Sequence, residues 1–193
     1  QWLDYARYAD SHGFQSDSSR VMWPWRDWVI DAFNKNMPFN EFTVEQLAGD
    51  LLPNPTNSQI VATGFNRNNR HNGEGGSLQE EWKVENTIDR VETTGTTWLA
   101  LTFNCCRCHD HKFDPISQQN FYEFYSFFYN TTDTGLIQAK GKNALPVIDY
   151  RAPDQDAEVA RLDGEIARAN EAVAAAKKDL PALIAKWEAT LPS

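Results

Sequence analysis

No stretch of this chain is apolar for long. The run from Trp98 to Leu101, resuming at Phe103, is far short of the roughly 20 residues a membrane-crossing helix needs. Basic residues are not in excess either. Lys and Arg number 18 against 27 Asp and Glu, a net charge of −9, so no basic stripe exists for displacing counterions from nucleic acid. Sustained strand alternation is missing, with only Ala144 to Tyr150 open to a short extended segment. What the chain does have is aromatic surface. Its 7 Trp, 6 Tyr and 11 Phe give too much to bury for a disordered polypeptide. These features leave an acidic, globular, all-α protein of 193 residues, enough for one or two domains.

The chain opens on residues that already read as helix, Trp2 to Ala9, with no initiator Met and no charged-then-apolar leader. It ends on Leu191-Pro192-Ser193 as if cut, and the expectation is a piece of a longer polypeptide. Within it, Pro24 suits a first helical turn, and Trp25, Trp28, Val29, Ala32 and Phe33 follow at helical spacing. Pro38 separates this helix from one over about 40–48 that stops at Gly49. Pro53 and Pro55 mark a loop before a helix around 58–65. Residues 66–77 are polar and Gly-rich and read as a loop. Ser77 with Glu80 forms a capping-box pattern opening a long helix through Trp82, Ile88 and Val91, whose second half Gly95 weakens. Ser117 opens another, carrying Phe121, Tyr122, Phe124, Tyr125, Phe127 and Phe128.

The C-terminal stretch differs in kind. Val159, Leu162, Ile166, Ala169, Val173, Ala176, Leu180, Leu183 and Trp187 alternate steps of three and four, an a/d heptad seam set among charged residues. Pro181 sits inside it and predicts a break near that residue. The organisation expected is a helical domain over 1–135, a linker over 136–153 and an amphipathic heptad arm over 154–193. The seam asks for a partner helix, from the same polypeptide or from another copy.

All three cysteines lie between positions 105 and 108. Cys105 and Cys108 enclose two residues and His109 follows at once, the C-x-x-C-H pattern of covalent c-type haem attachment. Residues three apart on a helical turn face one side, so both thiols can meet one porphyrin while His109 supplies the axial ligand to iron. With 4 His in 193 residues, a given Cys is followed by His by chance about 2% of the time. Other readings of the same residues stay open: an inert thiol pair or disulfide, or a zinc site from Cys105, Cys108, His109 and His111. Zinc is disfavoured because structural sites join two ligand pairs across a longer loop. A redox dithiol lacks the βαβ setting such motifs occupy.

The surroundings carry a resemblance. Cys108-His109-Asp110-His111-Lys112-Phe113-Asp114-Pro115-Ile116 resembles the signature of the planctomycete-type cytochrome c family, specifically its second cytochrome domain. Further matching strings are Ala6-Arg7-Tyr8-Ala9-Asp10-Ser11, Trp23 to Ile30, Gln46 to Pro53, Glu74-Gly75-Gly76, Asp89-Arg90-Val91 and Trp98 to Thr102. They cover about residues 2–130, and Trp187-Glu188-Ala189 resembles the end of a helical segment in relatives. The resemblance implies a domain of a large, secreted, multi-domain bacterial protein. Such proteins often accompany polysaccharide degradation, but the family's biochemical role is poorly defined.

The functional expectation is a c-type cytochrome domain with one covalent haem, transferring electrons with a partner redox domain or protein outside the cytoplasm. Its site is Cys105, Cys108 and His109, with His111 and Asp110 beside it. Candidates for a sixth ligand are Met37, ranked first at a helix junction, then Met22, His12 and His71, the last read as an exposed loop residue. Trp82, Trp98, Phe113 and the aromatics of 121–128 either cover the porphyrin or fill the core. Two further functions are carried as alternatives. One is a haem enzyme with an open distal site, acting on a peroxide or a sugar-derived substrate. The other is an assembly module with zinc or a disulfide at the cysteines.

Overall fold

A computed structural model describes residues 1–133, 135–137, 142–151 and 155–190. Among them are seven α-helices and no strand, only two isolated bridges, Ser11 with Ser19 and Asn72 with Leu136. The helices are α1 (Trp2–Tyr5), α2 (Trp23–Asn34), α3 (Phe39–Ala48), α4 (Asn57–Ala62), α5 (Gln79–Leu99), α6 (Gln118–Tyr129) and α7 (Asp156–Glu188). Three 3-10 turns intervene at Gly49–Leu51, Thr63–Arg67 and Phe103–Arg107. The chain divides into a unit over Gln1–Ile148 and a second over Asp149–Ser193.

Two apolar clusters build the first unit. One gathers Trp25, Trp28, Val29 and Ala32 of α2 with Phe42, Val61, Ala62 and Phe65. The spacing of those four α2 residues puts them on one face, and full burial of each large side chain is worth roughly 1.5–3 kcal/mol. The other gathers Ile88 and Val91 of α5, Phe103, Cys106 and Phe121 of α6. Helix α5 serves both, since Trp98 near its end packs on the first cluster.

The helix ends were partly legible. Ser117 caps α6 in a capping box with Asn120, and a second box, Thr56 with Gln59, caps α4. The box expected from Ser77 and Glu80 is not made. Leu78 is the N-cap of α5, because the Ser77 hydroxyl instead accepts a hydrogen bond from Asn72 Nδ2 at 2.6 Å. Gly95 does not interrupt α5. A Cβ there would lie 2.4 Å from Phe103 Cδ2, so the ring's close approach requires glycine. Residues 144–150 form no strand.

In the second unit α7 runs unbroken through Pro181, contrary to the break expected there. Proline removes one intrahelical hydrogen bond, to the carbonyl of Lys177. The residues around it are exposed, so water can take that carbonyl, and a cost of roughly 3 kcal/mol is spread over a 33-residue helix. The seam residues Leu162, Ile166, Val173, Leu180, Leu183 and Trp187 are all exposed.

A buried polar knot ties the first unit together. Asp133 pairs with Arg90 of α5, lies 3.5 Å from Arg67 and 3.7 Å from His71, and accepts the Gly135 N–H at 2.8 Å. Arg90 also donates to the Asn66 carbonyl (2.8 Å) and to Thr131 Oγ1 (3.1 Å). Burial works to raise the Asp133 carboxyl, but His71, Arg67 and Arg90 outweigh it and hold the group well below the usual carboxylate range. Its stabilisation is therefore complete above about pH 4 and is lost as the pH falls further. His71 and His12, whose rings meet edge-on at 5.5 Å, are both pushed below the ordinary histidine range, first by burial. Both take up protons more readily when unfolded, so stability starts to fall as the pH drops through about 6.5. Urea unfolding between pH 7.5 and 5 is expected to show a decline of up to about 1.4 kcal/mol per pH unit per histidine. The variant His12→Gln/His71→Gln should flatten that decline, and an unchanged slope in it would refute the assignment.

Candidate functional site

The cysteine turn is built from the close contact just described. Phe103, seated against Gly95, opens the 3-10 turn Phe103–Arg107, and three residues on Cys106 is the next to enter the core. Cys106 is fully buried in the second apolar cluster, where its Sγ lies 3.6 Å from the Ile116 carbonyl. Burial pushes that thiol up, away from the reactive thiolate. Cys105 and Cys108 are exposed, and none of the three cysteines is bridged. The N–H groups of Cys108 and His109 both point to the Cys105 carbonyl at 3.3 Å, so the backbone completes a helical turn with the two outer thiols three residues apart. A bridge from Cys106 to another chain would require opening the core.

Two side chains and a salt bridge fix this turn to its neighbours. Gln118 Nε2 and Tyr122 Oη, both on α6, donate to the Arg107 carbonyl at 3.1 and 3.0 Å. The Arg107 guanidinium grips Glu85 of α5 with both terminal nitrogens, at 2.7 and 3.4 Å. Asp110, through Oδ1, accepts the Gln118 N–H at 2.7 Å and so serves the start of α6.

The two histidines that follow have separate roles. His109 is exposed, and its Nδ1 lies 2.7 Å from the Asp110 carbonyl. A carbonyl only accepts, so Nδ1 carries the proton and Nε2 keeps its lone pair free, as a metal-binding imidazole requires. His111 is consumed by structure. Its Nδ1 accepts the Asp114 N–H at 2.8 Å and faces the Phe113 N–H at 3.3 Å, while Nε2 donates to Thr102 Oγ1 at 3.2 Å. It pins the loop through Pro115 that leads into α6. Phe113 in that loop is 83% exposed, the most exposed of the aromatic side chains.

The remaining candidates are dispersed. Met22 is buried in the first apolar cluster, and Met37 packs on it beside a small cleft lined by Phe33, Phe39 and Phe42. His71 is buried in the polar knot, not exposed as its loop sequence implied; the partners that bury it, Asp133 and His12, are remote in sequence. His12, also buried, donates from Nε2 to the Lys142 carbonyl at 3.1 Å, leaving Nδ1 without a partner. Trp82 packs against Phe14 with the rings tilted, Trp98 packs on the first cluster, and Phe121 and Phe124 fill the second.

Among the described residues, no three His, Cys, Asp or Glu side chains converge where they could hold a bare metal ion. A four-ligand zinc site from Cys105, Cys108, His109 and His111 thus has no support. A haem requires less of the protein: two accessible thiols and one imidazole with a free nitrogen. Cys105, Cys108 and His109 fit that requirement, and Cys106 is held out of competition.

Sequence reading missed a cavity of about 440 Å³ beside the turn, lined by Asn104 and Arg107 from the turn itself and by Arg7, Arg20, Asn68 and Glu92 among others. Arg7 and Arg20 occur within or near the matching strings, but only long-range packing places them together.

The fold and site define an all-α protein with an exposed C-x-x-C-H turn. The family model PSCyt2, described as "Protein of unknown function (DUF1549)", matches residues 1–133, and the chain belongs to this family, which is cytochrome-like by name. No curated protein and no solved structure matches the chain.

The contrast between buried Cys106 and exposed Cys105 and Cys108 generates a prediction. In haem-free protein, Cys106→Ala should cost about 1–2 kcal/mol of unfolding free energy, as loss of a buried side chain does. Cys105→Ala and Cys108→Ala should each stay within about 0.5 kcal/mol. Equal losses at all three positions, measured by chemical denaturation, would contradict the division of labour.

Proposed function

We propose that the chain is a mono-haem c-type cytochrome domain that passes single electrons to or from another domain of its parent polypeptide or a separate redox protein. The observation that carries this reading is the turn at Cys105 to His109. Two exposed, unbridged thiols share one helical turn, and the adjacent imidazole keeps Nε2 free. Haem, when bound, supplies a one-electron iron couple tuned by its axial ligands and surroundings. The chain's own part is to anchor and orient: Cys105 and Cys108 would form the thioethers, and His109 the iron bond, with its ring held by the Asp110 carbonyl. Exposed Phe113 offers apolar surface near the same turn. Because thioether attachment takes place on the outer side of the cytoplasmic membrane, an extracytoplasmic setting belongs to the same proposal. No helix among the described residues is long and apolar enough to cross a membrane.

The heptad arm supplies a second part of the proposal, antiparallel pairing of α7 with α7 of another copy. In that register Ile166 faces Ala176 and Ala169 faces Val173, large against small along the seam. Glu158 then lies beside Lys186 and Asp163 beside Lys177, against one like-charged pair, Glu165 with Asp179. A parallel in-register pair would set Glu158 against Asp163 and gain no opposite charges. Sedimentation at micromolar concentrations should show a dimer that Ile166→Lys converts to monomer. A monomeric wild type would overturn this part alone.

The haem reading is tested by producing the protein in a periplasm with haem-attachment machinery and recording oxidised and reduced visible spectra before and after denaturation in alkaline pyridine. The expected result is a haem band that stays with the polypeptide and disappears in Cys105→Ala/Cys108→Ala. His109→Ala should keep colour but change the ligand-field features. A colourless wild-type protein would sink the cytochrome assignment.

A further inference from the structure

The cavity beside the thiol turn is lined by four arginines, Arg7, Arg20, Arg70 and Arg107, and by three carboxylates, Glu85, Asp89 and Glu92. Two of the carboxylates are engaged, Asp89 with Arg7 and Glu85 with Arg107. Arg20 spends its hydrogen bonds on the carbonyls of Ala9, Asn69 and Asn68, which orient the guanidinium without neutralising it. Arg70 lies over the rings of Phe14 and Trp82 and forms no ion pair among the described residues. The wall therefore holds cationic charge in excess of its carboxylates.

The same wall holds polar atoms that the protein leaves unpaired. Asn68 is 2% exposed, and neither its amide nitrogen nor its amide oxygen has a hydrogen-bond partner. His12 is 1% exposed with Nδ1 unpaired, and Arg7 Nε is buried without an acceptor. Buried polar groups left in this state are costly, so their convergence on one cavity points to a missing polar partner. Electrostatics agree: the Arg7 guanidinium is pushed down to about 9, first by burial and then by Arg90 and Arg20. An anion reaching it would relieve both.

We propose that this cavity is a carboxylate-binding site. Arginine N–H groups and the Asn68 amide recognise a planar, singly charged oxygen pair, and the modest excess of cationic charge matches one carboxylate better than a multiply charged phosphate. Two sources have this chemistry. One is a free small carboxylate. The other, which rests on the haem reading, is the propionate edge of a haem held at Cys105 and Cys108. Asn104 and Arg107 favour the second, because they line the cavity from the turn that carries Cys105 and that ends at Cys108. The cavity's arginine and carboxylate walls suit a charged edge and not the apolar macrocycle.

The test uses the full chain in two forms, haem-attached wild type and the haem-free Cys105→Ala/Cys108→Ala variant, each titrated with sodium propionate against sodium chloride at equal ionic strength. Binding is read as a shift in Tm and by calorimetry. The haem-free form is expected to bind propionate, at least tenfold more weakly when Asn68→Leu is added. Arg70→Gln, on the exposed rim, should weaken it about threefold and guards against a folding defect at Asn68. If the haem-attached form then binds no propionate, the haem's own carboxylate occupies the site. If both forms bind it equally, the site takes a free carboxylate. Absence of binding to the haem-free form would overturn the proposal. Failure of the wild type to acquire haem would overturn the haem source while leaving the haem-free titration to decide the site.

Discussion

The buried pairing of Asp133 with Arg90 is the constraint on which the first unit depends. Arg90 lies in the middle of α5, the helix that serves both apolar clusters, and its guanidinium reaches Asn66, Thr131 and Asp133 at once. A charge so placed could not be left alone. Removing one member of a buried pair typically costs 3–5 kcal/mol because the other remains unpaired, although a full pair need add little net stability. Its value here is positional. It fixes the polar segment after Thr63–Arg67 and the segment from Thr131 to Asp133 against one face of α5, and Asn72 then exchanges backbone hydrogen bonds with Gly135 and Ile137.

That arrangement explains why the turn at Cys105 is well supported though its outer thiols are exposed. Helix α5 ends at Leu99, the backbone reverses through Ala100 at positive φ, and Phe103 packs back against Gly95. Cys106 then enters the core and Arg107 returns to Glu85 on the same helix. The outer thiols and His109 are thus presented from a turn clamped on three sides. A site built this way keeps its geometry without depending on the reactive groups for stability.

What the sequence made legible was local. The C-x-x-C-H spacing, the amphipathic faces of α2 and α6, the Ser117 cap and the heptad seam each depend on residues within a few positions of one another. What escaped was set by partners far along the chain. The Asn66 to Ser77 segment has a loop composition, yet Asn68, Asn69, His71 and Asn72 are buried because Arg20, Arg90 and Asp133 meet them there. The Ser77 hydroxyl was drawn from its capping role by Asn72, five residues away but across a turn. Pro181 was misjudged for a different reason: a break is forced only when the orphaned carbonyl has no alternative partner, and a solvent-exposed helix provides water.

The polar interior and the thiol turn share walls, and this has a consequence for how charge is handled. An electron-transfer group that changes its charge by one unit does so most easily where nearby charges are fixed and already paired, since little needs to reorganise. Arg107 with Glu85 and Arg7 with Asp89 are fixed pairs on the cavity beside the turn, and Arg20 is held by three carbonyls. The unpaired Asn68 amide and the excess of guanidinium over carboxylate are the part of that environment left incomplete by the protein alone. An anionic group completing it would join the cysteine turn to the buried knot that organises the fold.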